Sequence, residues 1–424
     1  MKLQIRSIVL IGIFFLMDAS TGLAQLNKNL QYNRAPGFQG INQFETPKDD
    51  STEFDGMQVQ IGGDFALQFQ SIQHSTMSGD TLIKLGSNFN LPTANLNLGV
   101  QLANGIRMSL STYLSSRNHK ETWVKGGYIQ IDKLDFIKVD FISKLMNVLT
   151  IKAGMDEINY GDIHFRRSDN ARAIYNPFVG NYIMDAFTTE VFGELTFQKN
   201  GILIVGGISN GNLNQSVIIE NKDPKPSFYG KIGYDSNITN DLRLRLTGSA
   251  YISPGYDNGH YLYNGDRAGA RYYSVLQEYN ASDNFRSGRF SPGFRKFNAV
   301  QVNPFVKWKG LEFFGVFEWA QGAQGESISK GNYTQWGAEV LYRIGENEKF
   351  YLGARYNTVG GMDSTNAKIK NITRVNAGGG WFITDNVLMK AEYVYQDYSG
   401  SGWDGSVYRG ANFKGVMLEA VIGF

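Results

Sequence analysis

Catalysis in a chain without cysteine falls first to histidine, and this chain has four: His74, His119, His164 and His260. Each lies in a different polar connection. A nucleophile and its base are brought together by the fold rather than by adjacency, so His74-Ser75 and the Asp162/His164 pair do not read as a hydrolytic site. No two histidines share a strand face or a helical spacing, which leaves no metal site. The missing thiols also remove disulfides and a lipid-modified N-terminal cysteine. Gly378-Gly379-Gly380, directly before Trp381, sits inside an alternating stretch where glycine admits a bend or close packing rather than a phosphate. The expectation is no enzyme activity and no cofactor.

Arginine carries the remaining chemistry. Ile158 to Phe187 is too hydrophobic for a loop in open solvent, with Phe165, Ile174, Tyr175, Phe178, Val179, Tyr182, Ile183 and Met184. Folded inward, it would bury those groups and present Arg166, Arg167 and Arg172, beside Asp169, as a constriction favouring anions. The alternative is an outer loop whose arginines pair with Asp162, Asp169 and Asp185. Arg107, Arg243, Arg245, Arg355 and Arg374 are the candidate lining arginines elsewhere, Arg243 and Arg245 being neighbours on one strand face.

The elements that must position these residues follow from composition and period. In 424 residues, aromatics make up 13% and charged residues 19%, high and low respectively for a soluble domain, and 49 Gly are nearly twice the usual share. After the N-terminus no apolar run reaches transmembrane-helix length. Lys2 and Arg6, the apolar stretch Ile8 to Met17 and Gly22-Leu23-Ala24 read as a signal peptide, residues 1–24. Its removal takes 41 basic and 39 acidic residues to 39 and 38, a net charge of +1. That balance points to no nucleic-acid partner.

From Met57 to Gln70 the odd positions are apolar or Gly and the even ones mostly polar. A period of two over that length suits a tilted membrane strand of about 9 to 11 residues better than a sandwich strand of about 5 or 6. Similar stretches begin at Ala94, Gly105, Thr122, Val148, Thr188, Gly201, Phe228, Leu242, Asn298, Leu311, Thr334, Phe350, Ile372, Val387 and Phe413. The fold class expected is therefore all-β: a transmembrane antiparallel β-barrel of about 16 strands, residues 57–424, with residues 25–56 a periplasmic N-terminal segment. Connections alternate between short turns such as Asn104-Gly105, Asn200-Gly201 and Lys309-Gly310, placed in the periplasm, and long outer loops. Leu134 to Met146 breaks the rule and reads as a short helix or extended turn.

Repeated Arg and Glu opposite Leu and Val assign the polar face to the lumen, because a charge on the lipid face costs roughly 2–4 kcal/mol near the midplane. At this width wall side chains cannot fill the interior, so an aqueous channel is expected. Provisional inward cations and anions are equal in number. Ion preference must then come from where the arginines sit.

Val416-Met-Leu-Glu-Ala-Val-Ile-Gly-Phe424, ending in Phe, resembles the terminal strand by which Gram-negative outer-membrane barrels are recognised. Together with Phe165-Arg166-Arg167-Ser168-Asp169-Asn170 and Tyr175-Asn176-Pro177-Phe178, the mature chain is similar to the phosphate-selective porin O and P group. The resemblance implies an outer-membrane porin, in contact with outer-membrane lipid, that passes small hydrophilic solutes or anions, and it brings a homotrimer into consideration. Lys152, Lys231 and Lys390 are scattered and matched by carboxylates, which suits a general porin of similar build. A barrel scaffold or partner subunit of a secretion or surface apparatus, without an open pore, is the other reading, and single-channel conductance separates the two.

Overall fold

The computed structural model describes residues 29–79, 82–115, 122–168, 172–211, 217, 225–255, 261–263, 272–279, 287–324 and 329–424. The signal-peptide expectation for residues 1–24 and the constriction candidate Asp169 lie outside the described residues, as do His119 and His260.

Sixteen strands follow in order: β1 (Gln58–Ser75), β2 (Asn88–Ala103), β3 (Ile106–Ser115), β4 (Trp123–Ile131), β5 (Leu149–Glu157), β6 (Thr189–Lys199), β7 (Ile202–Ser209) and β8 (Ser227–Asn237). The second half is β9 (Leu242–Ser253), β10 (Lys296–Trp308), β11 (Leu311–Ala323), β12 (Gly331–Ile344), β13 (Phe350–Met362), β14 (Lys370–Thr384), β15 (Val387–Ser399) and β16 (Asn412–Gly423). Each pairs antiparallel with its sequence neighbour, and β1 closes on β16 in the register Asp64↔Gly423 to Ser75↔Asn412. The sheet therefore has no edge, and every strand has a partner on both sides. All sixteen expected strands are present. Several run past the expected ends at the long-loop side, β1 to Ser75 and β15 to Ser399 among them, because alternation fades there while the ladder continues.

Short turns close most of the other end, of two residues at β2–β3, β6–β7, β10–β11 and β14–β15, of four at β8–β9 and of five at β12–β13. At Asn200-Gly201 both residues have positive φ, 50° and 81°, the hairpin geometry whose twist matches that of paired strands. The long connection between β4 and β5 contains one short helix, α1 (Asp140–Met146).

The outer surface is apolar. Leu195, Ile204, Ile232, Leu246, Leu352 and Leu418 are exposed, while Arg245, Thr247, Glu339, Arg355 and Glu419 on the opposite face are buried. Near the short turns, Trp308 stands opposite Leu311, Leu311 opposite Tyr342, and Phe350 opposite Trp381. These form an outward aromatic band of the kind that seats at a membrane interface.

The interior departs from the expectation that wall positions meet water. Inward residues of β9 to β16 turn apolar toward the long-loop end, at Tyr251, Phe297, Ala299, Ala320, Tyr333, Val359, Ile372, Val394 and Phe413. They pack with Ile158, Val179, Ile183 and Met184, and with Tyr272, Val275, Leu276 and Phe294 of the long β9–β10 connection. Two smaller apolar clusters lie nearer the turns, one around Ile174, Phe178, Tyr351 and Phe382, the other around Phe44, Ile163, Phe305 and Phe314. Alternation marks which face of a strand points inward; it does not say whether water or another part of the chain waits there.

Candidate functional site

A segment with only two short 3-10 turns among its described residues, Ile163–Arg166 and Arg172–Tyr175, must still find partners for its other backbone N–H and C=O groups. The described residues of 158–187 find many of them on the lumen wall. Glu392 accepts hydrogen bonds from Val179 N (2.7 Å) and Gly180 N (3.2 Å). Asn357 Oδ1 accepts from Ile183 N at 2.7 Å, and Gln335 both accepts from Met184 N and donates to Met184 O. Lys390 Nζ donates to the carbonyls of Ala173, Asn176 and Phe178 at 3.0–3.1 Å while pairing with Glu419 at 2.7 Å. Many polar lumen positions of β12 to β15 thus hold backbone rather than solute.

Charge fixes the same segment. The Asp162 carboxylate accepts from Arg245 Nε (2.8 Å) and Nη2 (2.9 Å), Lys231 Nζ (2.9 Å) and Thr247 Oγ1 (2.8 Å), and is fully buried. Burial alone would raise its pKa; Arg245 and Lys231 overturn that and hold the carboxyl far below the usual aspartate range. Arg166 reaches Glu339 at 2.7 Å and Glu312 at 3.7 Å. Arg167 makes a two-pronged pair with Asp185 (2.9 and 2.7 Å) and lies 3.9 Å from the Phe187 ring centre. Arg355 joins Glu339 at 2.6 Å to Gly180 O at 2.7 Å, and Arg374 donates to Asn181 O at 2.5 Å.

Residues 29–57 also lie inside the barrel, near the short turns. Their path makes a circuit of the wall. Gln31 meets Gln101 and Asn104 at the β2–β3 turn, and Phe38 N donates to Asp385 O between β14 and β15 at 2.7 Å. Asn42 Nδ2 donates to Glu312 of β11 at 2.6 Å, and Glu45 pairs with Arg245 of β9 (2.8 Å) and Lys231 of β8 (3.1 Å). Lys48 reaches Asp132 (3.0 Å) and Leu149 O (2.9 Å) at the β4–β5 connection, after which the chain enters β1.

A cavity of about 240 Å³ lies against β1 to β6, lined there by Gln60, Asp64, Asn97, Arg107, Ser109, Tyr128, Gln130, Lys152 and Glu194, and on its inner side by Arg34, Glu45, His164 and Arg172. A second, of about 420 Å³, opens at the short-turn end beside Arg243, Lys307 and Arg343. Of the sequence candidates, Arg172 and Arg107 line the first and Arg243 the second. Arg166 and Arg167, expected to face a passage, are both buried and paired with carboxylates. Arg245, Arg355 and Arg374 are likewise anchors for the segments inside the barrel, since a guanidinium leaving water in so crowded a lumen needs carboxylate or carbonyl partners. The ring of His74 is occupied on both sides, Leu276 N donating to Nδ1 and Nε2 meeting Ile83 O.

Within the first cavity, Lys152 pairs with Asp156 (2.9 Å) and Arg172 with Glu157 (3.0 Å). Arg107 instead donates to Tyr128 OH (3.0 Å) and Gln130 Oε1 (2.6 Å). Arg34 donates to Gly40 O and Phe165 O and stacks 3.6 Å over Tyr175. Burial lowers the Arg34 pKa to about 10, which leaves it charged at neutral pH. These two guanidinium groups hydrogen-bond neutral partners. Arg34 was not a sequence candidate, because the aperiodic N-terminal stretch gives no sign of which of its residues face a cavity.

No protein-family model matches the sequence, and no curated protein matches it. Among solved structures the chain is similar to an anion-selective porin from Comamonas acidovorans, with TM-score 0.53 and 8% identity over 87% of this chain and 100% of that one. It is also similar to the outer membrane channel DcaP of Acinetobacter baumannii, with TM-score 0.51 and 10% identity over 88% and 99%. A third is the trimer form of OmpT, an outer membrane protein of Vibrio cholerae, with TM-score 0.51 and 11% identity over 87% and 100%. At such identities the likeness is one of fold: a closed sixteen-strand antiparallel barrel.

Proposed function

We propose that this chain is an outer-membrane porin for passive diffusion of small hydrophilic solutes. The observation that carries the reading is a polar cavity inside a closed barrel whose outside is apolar and banded with aromatics. The Comamonas and Acinetobacter proteins, a porin and an outer membrane channel by name, support it. Short turns then face the periplasm and long loops the exterior, residues 25–56 begin on the periplasmic side, and Ile158–Phe187 narrows the lumen. A homotrimer, as in the trimer form of OmpT, fits this placement.

Any anion preference rests on Arg34 and Arg107, whose partners are neutral, and only secondarily on Arg172. Phosphate-type oxyanions are the finer form of that preference, in keeping with the sequence resemblance. Reconstitution into planar bilayers tests both levels. A porin gives stable conductance steps; their absence rejects the reading. In a salt gradient, Arg107→Gln and Arg34→Gln should each move the reversal potential toward cation preference, and an unmoved potential rejects the anion assignment. The scaffold reading draws support from one observation, the degree to which residues 29–57 and 158–187 fill the interior, and it predicts no current under any condition.

A further inference from the structure

The N-terminal segment is the wall between the two cavities. Asn33, Arg34, Phe44 and Glu45 line the inner one, while Phe38 and Asn42 line the one open at the short-turn end. We propose that residues 29–57 form a displaceable gate, whose withdrawal joins these spaces into one path; the inference rests on the porin reading above.

Three observations make the segment separable from the barrel. The ladder is closed without it, so its departure exposes no strand edge. Its holds are mostly side-chain contacts, and it adds no strand to the sheet. Most decisively, each wall charge it touches keeps a partner of its own. Arg245 and Lys231 retain Asp162 when Glu45 leaves, and Glu312 retains Arg343 at 2.6 Å when Asn42 leaves. Asp132 loses Lys48 but still accepts from Gln130 Nε2 (2.8 Å) and Thr150 Oγ1 (2.5 Å). Stranding a buried charge is the chief cost of breaking an ion pair; Arg245, Lys231 and Glu312 escape it through the ion pairs they keep, and at Asp132 two retained hydrogen bonds reduce it. The loop at 158–187 keeps its own anchors throughout: Arg166 loses Asn42 and holds Glu339.

The test uses two variants of the full chain in planar bilayers. The first lacks residues 30–56, and its folded state is checked by heat-modifiable gel mobility. A several-fold rise in unit conductance over the unaltered chain is expected. Equal conductance in the two overturns the gate and leaves the porin reading standing; current from neither overturns both. The second needs no deletion. The chain has no cysteine, so Phe38→Cys with Asp385→Cys, placed where the two backbones hydrogen-bond, can form one disulfide only. The oxidised form should hold the low conductance and the reduced form should recover openings. Identical traces before and after reduction, in a chain that conducts, overturn the gate even where the deletion variant does not fold.

Discussion

At the scale of single residues, burial divides the arginines into two kinds that composition cannot distinguish. Arg166 and Arg167 have side chains only 3% and 1% exposed and are fixed to carboxylates, whereas Arg172 is 29% exposed beside the cavity. Arg167→Gln should leave Asp185 only Asn181 and the Arg289 charge and destabilise the loop, by less than the about 3–5 kcal/mol of a fully stranded charge, read as increased protease cleavage within 158–187. Arg172→Gln should leave cleavage unchanged and alter ion preference alone. Acid has a defined effect on the same anchors. Burial raises the Asp162, Asp185 and Glu45 carboxyls, and the facing cations, Arg245 and Lys231 or Arg167 and Arg289, overturn this so that all three sit below their usual values. A carboxylate depressed in the folded state contributes stability that is complete above its unfolded pKa, about 4, and is lost as pH falls through the folded value. Amide exchange in 158–168, expressed relative to the intrinsic rate at each pH, should therefore be flat from about pH 8 to about pH 5 and rise only below about pH 4. A rise centred near pH 6 would mean that histidine, not these carboxylates, controls the attachment.

At the scale of elements, each strand presents one face to lipid and one to the interior, and substitutions of the same type should diverge accordingly. Leu246 is 56% exposed on the outer face of β9. Leu246→Arg should cost roughly 2–4 kcal/mol in urea unfolding from vesicles if its position is near the midplane, while Ser109→Arg, facing the cavity from β3, should change conductance with little effect on unfolding. The reverse result would place the apolar rows on the wrong side. The turns have their own requirement. Gly201 has φ 81°, and a Cβ there would lie 2.8 Å from the Tyr234 ring. Gly201→Ala should cost about 1 kcal/mol or more through backbone strain and that contact, and should slow refolding of the β6–β7 hairpin.

At the scale of the whole molecule, the barrel is asymmetric. The packed segments lie mainly against β6 to β16, with the second cavity open at the short-turn end of β8 to β12, and the first cavity lies against β1 to β6. The seam between β4 and β5 pairs only over Gly127–Ile131 and Ile151–Met155, next to the connection carrying α1. Hydrogen exchange should open Trp123–Gly126 before any strand of β10 to β16, and uniform protection around the barrel would reject the weak seam. The closed sixteen-strand barrel and its greasy exterior were legible in the sequence, because period-two alternation over long stretches and alternating connection lengths are local properties of the chain. The inward-facing arginines were legible as a set. Which of them meet a cavity and which clamp the chain was not, nor was the circuit of residues 29–57, with Arg34, Glu45 and Lys48, around the wall. Those depend on pairings such as Asp162 with Arg245, separated by 83 residues, whose energy exists only once the closed wall brings both charges out of water to the same place.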